Sequence, residues 1–267
     1  MDQQSKVAVV GAGIMGEALI AALISSGVNP ELITISEKRS DRSAELIAKY
    51  SIKQAPLATN VAAADALLLV VKPQDMAGVL EEIKGSINPE AVVITFAAGK
   101  TISFIGNGLG TGNPVIRVMP NTPTMVGAGM AAASMGAGVT AAQRQFVLGF
   151  LAATGKVIEV AEELQDAVTA TSGSGPAYFF AFVEAMVAGA KELGLSEQDA
   201  TTLTVQTIVG AAKLLDESGK SATTLRENVT SPNGTTAAAL ASFGSSDLNS
   251  MVAKAMKAAS DRSQELA

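Results

Sequence analysis

The stretch Asn228-Val-Thr-Ser-Pro-Asn-Gly-Thr-Thr-Ala-Ala-Ala-Leu240 places four hydroxyls, on Thr230, Ser231, Thr235 and Thr236, around a Pro232-Asn233-Gly234 turn. It separates an amphipathic segment ending SATTLREN from an Ala-rich run with helical character. Pro-Asn-Gly alone would make the turn. The extra hydroxyls gather at the start of the next helix, where free N–H groups form a ready site for an anion. Taken alone, the stretch favours N-capping, in which a hydroxyl accepts one of those N–H groups. Binding of a small anionic ligand is the alternative, and the rest of the chain has to decide between them.

The absences narrow the chemistry further. No Cys and no His occur in the 267 residues, so whatever reaction occurs runs without a thiolate or an imidazole. Disulfides, His-zinc sites, Ser-His hydrolases and dehydrogenases with a histidine acid–base are excluded, and no metal site is expected.

A second candidate site lies near the N-terminus. Gly11-Ala-Gly13-Ile-Met-Gly16 has the spacing G-x-G-x-x-G, follows the apolar run KVAVV and opens the helical segment EALIAALISSG. A tight turn, close backbone approach and a helix N-terminus suit the pyrophosphate of a dinucleotide. An ordinary Gly-rich turn is the bland alternative. About 20 residues further on, Glu37 stands where an acid takes the ribose hydroxyls of NAD. Ser36, Lys38 and Arg39 beside it suit a 2′-phosphate instead. Two cations and a hydroxyl against one acid favour NADP(H) and leave NADH open; solvated surface charge is the competing account of Lys38 and Arg39. VVKP at 70–73 and RVMPNTP at 117–123 end predicted strands, on the edge of a parallel sheet where ligands bind. Lys72 there has three readings: catalysis, cofactor contact, or satisfaction of loop carbonyls, the last favoured on the residue alone. TSGSGPAY at 171–178 allows close approach before a Pro-started helix, and helix packing explains it equally well.

These residues need a scaffold, and the pattern supplies one. Strands are expected at 6–10, 32–36 and 66–71, in AVVITFAAG, and later in PVIRVMPNTP and KVIEV. Helices alternate with them, one being SDRSAELIAKY with Ser40 or Asp41 as its cap. The alternation predicts a parallel sheet with helices on both faces. From about Glu162 onward the pattern is helical only. An α/β domain over 1–162 followed by an all-α domain over 163–267 is the expectation. The helix from Pro176 to Leu193 is apolar on nearly every side, which predicts all-round burial and a subunit interface.

With 48% hydrophobic and 16% charged residues the chain is expected to fold rather than stay disordered. A net charge of −6 offers no basic face for nucleic acid. GPAYFFAFVEAMVAGA, the nearest approach to a membrane span, carries Glu184. The start MDQQSKVAVVGAG lacks the features of a signal peptide, so a cytoplasmic protein is expected, without membrane contact.

GAGIMG, VVKP, RVMPNTP, SGSGPAY and TSPNGTT, in this order and over nearly the whole chain, resemble the pyrroline-5-carboxylate reductase family. The last two motifs are specific to it. The resemblance implies an N-terminal Rossmann-type dinucleotide-binding domain, an all-α dimerisation domain that also binds substrate, and NAD(P)H-dependent reduction of a cyclic imine to L-proline, the last step of proline biosynthesis. It implies that Gly11, Ala12, Gly13, Ile14 and Met15 bind the cofactor pyrophosphate. Ser36, Lys38 and Arg39 would take the adenosine end, Val71, Lys72 and Pro73 would lie beside the cofactor, and Asn228 would reach the nicotinamide amide. The substrate carboxylate would be held by the loop Ser231 to Thr236, which includes Asn233, Gly234 and Thr235, with the catalytic Thr236 beside the ring nitrogen. NADPH is the expected cofactor, with NADH also admitted. Members form dimers with intertwined helical domains, often associated further, so that the loop can serve a partner's cofactor. Asn233 departs from the family's commonest sequence, which has a second Gly there; Asn tolerates left-handed backbone, so the loop shape should survive.

The implied chemistry fits the missing histidine. An imine nitrogen can enter already protonated, so alignment and fixed dipoles suffice without a strong general acid. A β-hydroxyacid or 6-phosphogluconate-type dehydrogenase shares the two-domain plan, yet places a catalytic Lys on the helix after the SG-rich loop. Here Lys191 lies four turns along that helix, too far away. A non-catalytic dinucleotide sensor would have no need of the second, hydroxyl-rich site.

Overall fold

The computed structural model describes residues 1 and 3–266. The chain runs β1 (Val7–Val10), α1 (Ile14–Ser25), β2 (Ile33–Ser36), α2 (Ser40–Tyr50), β3 (Lys53–Gln54), α3 (Leu57–Ala63), β4 (Ala66–Leu69), α4 (Met76–Ile83), β5 (Val92–Thr95), α5 (Ile102–Leu109) and β6 (Val115–Met119). It continues through β7 (Gly129–Met135), α6 (Ala141–Ala152), β8 (Gly155–Glu159) and α7 (Gln165–Val168). The remaining helices are α8 (Gly175–Glu192), α9 (Glu197–Glu217), α10 (Ala222–Asn228), α11 (Thr235–Ser245) and α12 (Leu248–Glu265).

Among the described residues one eight-stranded sheet forms, in the order β3-β2-β1-β4-β5-β6-β7-β8. Strands β1 to β6 are parallel, β7 is antiparallel to β6, and β8 is parallel to β7. The continuous apolar runs have a direct cause, since both faces are covered. Val7, Val9, Leu68 and Ile94 face a core completed by Leu19 and Leu23 of α1, Leu46 of α2 and Phe150 of α6. Ala8, Val10, Leu67 and Val93 face the opposite core, with Val61 of α3, Met76 and Leu80 of α4, and Ile105 of α5. Period-two alternation within each strand thus feeds two cores at once.

Two compact units result. Unit 1 extends to Ser174 and takes in the end of the chain from Ala259, while unit 2 is Gly175–Ala258. This division differs from the 162/163 boundary expected from the loss of strand pattern. Helix α7 is anchored to the sheet by the buried Gln165, whose amide donates to Ala132 O and Ser134 Oγ at 3.2 and 2.9 Å. A helical pattern cannot reveal which core a short helix joins.

Some local expectations are revised. Helix α2 begins at Ser40 with Arg39 in the N-cap position, and no side chain caps it. Strand β7, Gly-Met-Ala-Ala-Ala-Ser-Met, has none of the β-branched residues that announce a strand. Its first residue sits at a close backbone approach: a Cβ on Gly155 of β8 would collide with the Gly129 backbone. Helix α8 is not buried all round within the chain, for Phe179 and Phe180 are 62% and 63% exposed. No helix of the described residues is long and apolar enough to cross a membrane.

Candidate active site

The glycine turn after β1 is shaped by what it cannot contain. Gly11 adopts φ +87°, and a Cβ there would lie 2.8 Å from Val70 O. Only Gly meets both conditions. Gly16 has no room for a Cβ either, because it would meet Gly11 O, so α1 starts flush against the turn. Gly13, the N-cap of α1, faces open space, and no side chain caps the helix. An uncapped N-terminus open to solvent, approached by bare backbone, is a fitting cradle for a pyrophosphate.

Charged side chains hold this turn in place. Glu37 Oε2 accepts the Ala12 N–H at 2.9 Å, and its Oε1 accepts the Arg39 N–H at 3.0 Å. Arg42 donates through Nε to Ala12 O at 3.1 Å and pairs with Glu17 in the first turn of α1. Lys49 and Tyr50 also donate to Glu17 Oε1, at 2.9 and 3.1 Å. The bond from Lys49, supported by those from Arg42 and Tyr50 and opposed by burial, lowers the Glu17 carboxyl to about 2. Residue spacing in the sequence carries no mark of this Glu17–Arg42 pairing.

A cleft of about 940 Å³ opens over the carboxyl ends of β1, β2 and β4. Gly11, Gly13, Ser36, Lys38, Arg39, Val71 and Lys72 line it, together with Glu37, Gln54 and Asp75. Lys38 and Lys72 are exposed, and the Arg39 side chain is 61% exposed. Ser36 is tied down by Asn60, whose Nδ2 donates to Ser36 Oγ at 3.0 Å, while Ser36 Oγ donates to Ala55 O at 3.0 Å. Ala12, Ile14, Met15 and Pro73 are not among the lining residues. Ala12 is buried with its N–H committed to Glu37, Ile14 is 65% exposed at the start of α1, Met15 packs on the core, and Pro73 opens a short 3-10 turn.

Asn228 and the hydroxyl-rich loop lie in unit 2, Asn228 as the last residue of α10. Asn233 takes φ +58°, the left-handed conformation, and the Gly234 N–H donates to Ser231 O at 3.0 Å. Gly234 is the N-cap of α11, and no side-chain hydroxyl caps the helix. The N-capping account favoured by the stretch alone is therefore incorrect. Thr230 donates to Arg226 O at 2.6 Å in the preceding helix, and α11 begins at Thr235 with Thr236 half-buried in its first turn. Its leading N–H groups remain available to an anion.

Asn121 has a role that the RVMPNTP motif does not announce. Its Oδ1 accepts the Met130 N–H at 2.8 Å and its Nδ2 donates to Ser172 O at 3.1 Å, so one amide ties the RVMPNTP and TSGSGP segments together. The turn chemistry of Asn-Thr-Pro hid this long-range role.

A parallel sheet ordered 3-2-1-4-5-6, with an open helix N-terminus beyond its first strand, defines the dinucleotide-binding class of oxidoreductases. Residues 6–99 match the family model described as NADP oxidoreductase, coenzyme F420-dependent, and residues 162–266 match that of pyrroline-5-carboxylate reductase dimerisation. Pyrroline-5-carboxylate reductases of Corynebacterium melassecola and Pseudomonas aeruginosa are each 40% identical to the chain over 264 residues. The alignments cover 97% of this chain and 98% of the first relative, and 98% and 97% for the second. The solved pyrroline-5-carboxylate reductase of Coxiella burnetii superposes with a TM-score of 0.90 at 34% identity, covering 99% of both chains. A Plasmodium falciparum pyrroline carboxylate reductase with NADP bound gives 0.88 at 26% identity, covering 100% of this chain and 99% of the other. The chain belongs to the pyrroline-5-carboxylate reductase family.

The Glu17 cluster makes the cradle acid-sensitive. A carboxyl lowered from 4.5 to about 2 contributes stability that is complete above about pH 4.5 and lost as the pH falls through 2. With partial solvent screening this amounts to roughly 1–2 kcal/mol. Glu17→Gln should be less stable than the parent by that amount in urea unfolding at pH 7. The gap should close as both proteins are measured toward pH 2; a pH-independent gap would assign the loss to packing.

Proposed function

We propose that this chain reduces the C=N bond of 1-pyrroline-5-carboxylate to L-proline at the expense of NADPH, in the cytoplasm, as a homodimer or a higher assembly of dimers. The observation that carries the reading is the 40% identity to pyrroline-5-carboxylate reductases across 97% of the chain. The uncapped start of α11, ringed by hydroxyls, supports it with a site suited to a small carboxylate.

The dihydronicotinamide supplies the hydride; the chain's own groups hold and orient. Gly11 and Gly13 admit the pyrophosphate against the N-terminus of α1, where Ile14 and Met15 contribute their N–H groups. The Ala12 N–H serves Glu37 instead. Because both Glu37 oxygens accept backbone N–H groups, the acid that would read an NAD ribose is already engaged. Lys38 and Arg39 are left to read a 2′-phosphate, and NADH is the weaker cofactor. Val71, Lys72 and Pro73 flank the cofactor, and Asn228 meets the nicotinamide amide.

Ser231, Asn233, Gly234 and Thr235 hold the substrate carboxylate at the start of α11. Thr236 hydrogen-bonds the ring nitrogen and stabilises the charge distribution that develops there. An imine that arrives protonated asks for no imidazole, in keeping with a chain that has none. Oxidation of NADPH assayed on 1-pyrroline-5-carboxylate, beside reduction of NADP+ by 3-hydroxy acids, tests the activity; turnover of the hydroxy acids alone would replace it with a β-hydroxyacid dehydrogenase.

Replacing Lys38 and Arg39 together with Ala should raise KM for NADPH well above any change for NADH. Equal responses would reject the phosphate assignment. Thr236→Val keeps the shape and removes the hydroxyl. It should lower kcat/KM by about 30- to 150-fold, the equivalent of roughly 2–3 kcal/mol, and leave NADPH affinity unchanged. Near-normal kcat/KM with a reduced Tm would make Thr236 structural only. The exposed apolar face of α8, with Phe179, Phe180 and Phe182, calls for a second copy of the chain. Light scattering should find no active monomer in dilute solution.

A further inference from the structure

The end of the chain does not stop in unit 2. Helix α12 returns to unit 1, where Ser263 is 2% exposed and donates through Oγ to Asp166 Oδ1 at 2.7 Å. Asp166 in turn meets the guanidinium of Arg117, itself 4% exposed, at 3.4 Å. The same guanidinium lies 3.6 Å from Glu162 Oε1, which accepts the Ile102 N–H at 2.6 Å. Ile102 opens α5, just after the loop that leaves β5. The relay thus begins at the C-terminal turn and ends on the β5–α5 loop.

A second contact joins the same two segments directly. Gly99, in the middle of that loop, is buried with φ +74°. A Cβ at this position would lie 2.7 Å from both Leu266 Cβ and Ser263 O. The C-terminal turn therefore rests on the loop's bare backbone, while within the loop Lys100 N–H reaches Ala97 O at a long 3.3 Å.

The location gives this packing a consequence. Ligands of an open parallel sheet bind beyond the carboxyl ends of its strands, with one mononucleotide over each half. The cleft over β1, β2 and β4 serves the adenosine half, which leaves the edge at β5 and β6 for the nicotinamide half. We propose that the C-terminal turn of the chain buttresses the β5–α5 loop at this edge, and that Ser263 and Leu266 are positioning residues for hydride transfer. The proposal rests on the functional reading above for its catalytic half alone. Hydride transfer tolerates little displacement: about 1 Å costs on the order of 100-fold.

The full chain is compared with a form ending at Arg262, with Ser263→Ala, and with Arg262→Ala as a control, since Arg262 is exposed and pairs with the exposed Glu265. Hydrogen exchange followed over residues 96–104 should accelerate by about 10-fold or more in the truncated form and less in Ser263→Ala, with β1 and α1 unchanged. Binding of 2′,5′-ADP, a probe of the adenosine half, should stay within about two-fold, while kcat/KM on 1-pyrroline-5-carboxylate falls about 10-fold or more. Arg262→Ala should match the parent in every measurement. Unchanged exchange over 96–104 in the truncated form, or faster exchange spread evenly over unit 1, overturns the buttress. A loosened loop with full activity overturns its positioning role. Should the parent bind 2′,5′-ADP yet fail to reduce the imine, the functional reading fails, and exchange decides the buttress by itself.

Discussion

The cofactor half of this molecule depends on one close approach, that of the Gly11 backbone to the carbonyl of Val70. A Cβ at Gly11 would stand 2.8 Å from that oxygen, so any other residue would drive β1 and β4 apart at their carboxyl ends. These strands are neighbours at the centre of the sheet, paired from Val7 and Ala66 to Val10 and Leu69. Bare backbone lets the chain leave β1 sharply, bring α1 back against the turn at Gly16, and direct the free end of α1 into the cleft. The fold and the anion cradle are in this sense one constraint.

Electrostatics then divides labour among residues that look alike in composition. Glu17 and Glu37 are both acids near the turn, and both are engaged by donors of the protein itself. Glu17 binds Arg42, Lys49 and Tyr50 and joins α1 to α2, while Glu37 accepts the N–H groups of Ala12 and Arg39. The cations on the cleft wall, Lys38, Arg39 and Lys72, remain solvated. A half-buried acid whose two oxygens each already accept a backbone N–H has fewer lone pairs left for ribose hydroxyls.

The hydroxyl-rich loop shows the same economy at a helix start. Natural helices commonly have a capping side chain at this position. Gly234 has none to offer, and the neighbouring hydroxyls do not fold back to replace it. An uncapped helix start beside Ser231, Thr235 and Thr236 is a cost in stability, offset when an anion binds. Such an arrangement suits a reaction that needs a carboxylate held and an imine aligned, without a titrating acid.

Much was legible in the residues themselves. Alternating apolar strands and amphipathic helices announced the parallel sheet, because burial on both faces demands continuous apolar runs. Gly11, Gly13 and Gly16 announced the turn, since few other roles require that spacing between a strand and a helix. Strand β7 escaped notice, as its Gly, Ala, Ser and Met residues have little local strand propensity and its pairing with β6 and β8 makes it a strand. The start at residue 163 expected for the helical half agrees with the dimerisation family match over 162–266, while the compact units divide at Gly175 because α7 is anchored to the sheet.

Local chemistry is carried by residue type and spacing, so the sequence by itself determined the strand–turn–helix cradle, the exclusion of imidazole and thiolate catalysis, and the left-handed Asn233. Pairing between distant segments depends on where the folded backbone brings them, and only tertiary structure decided that. It committed Glu37 to Ala12, left α11 without a cap, and joined Ser263 to Asp166 across 97 positions of sequence. A side chain's partner, unlike its type, is a property of the fold.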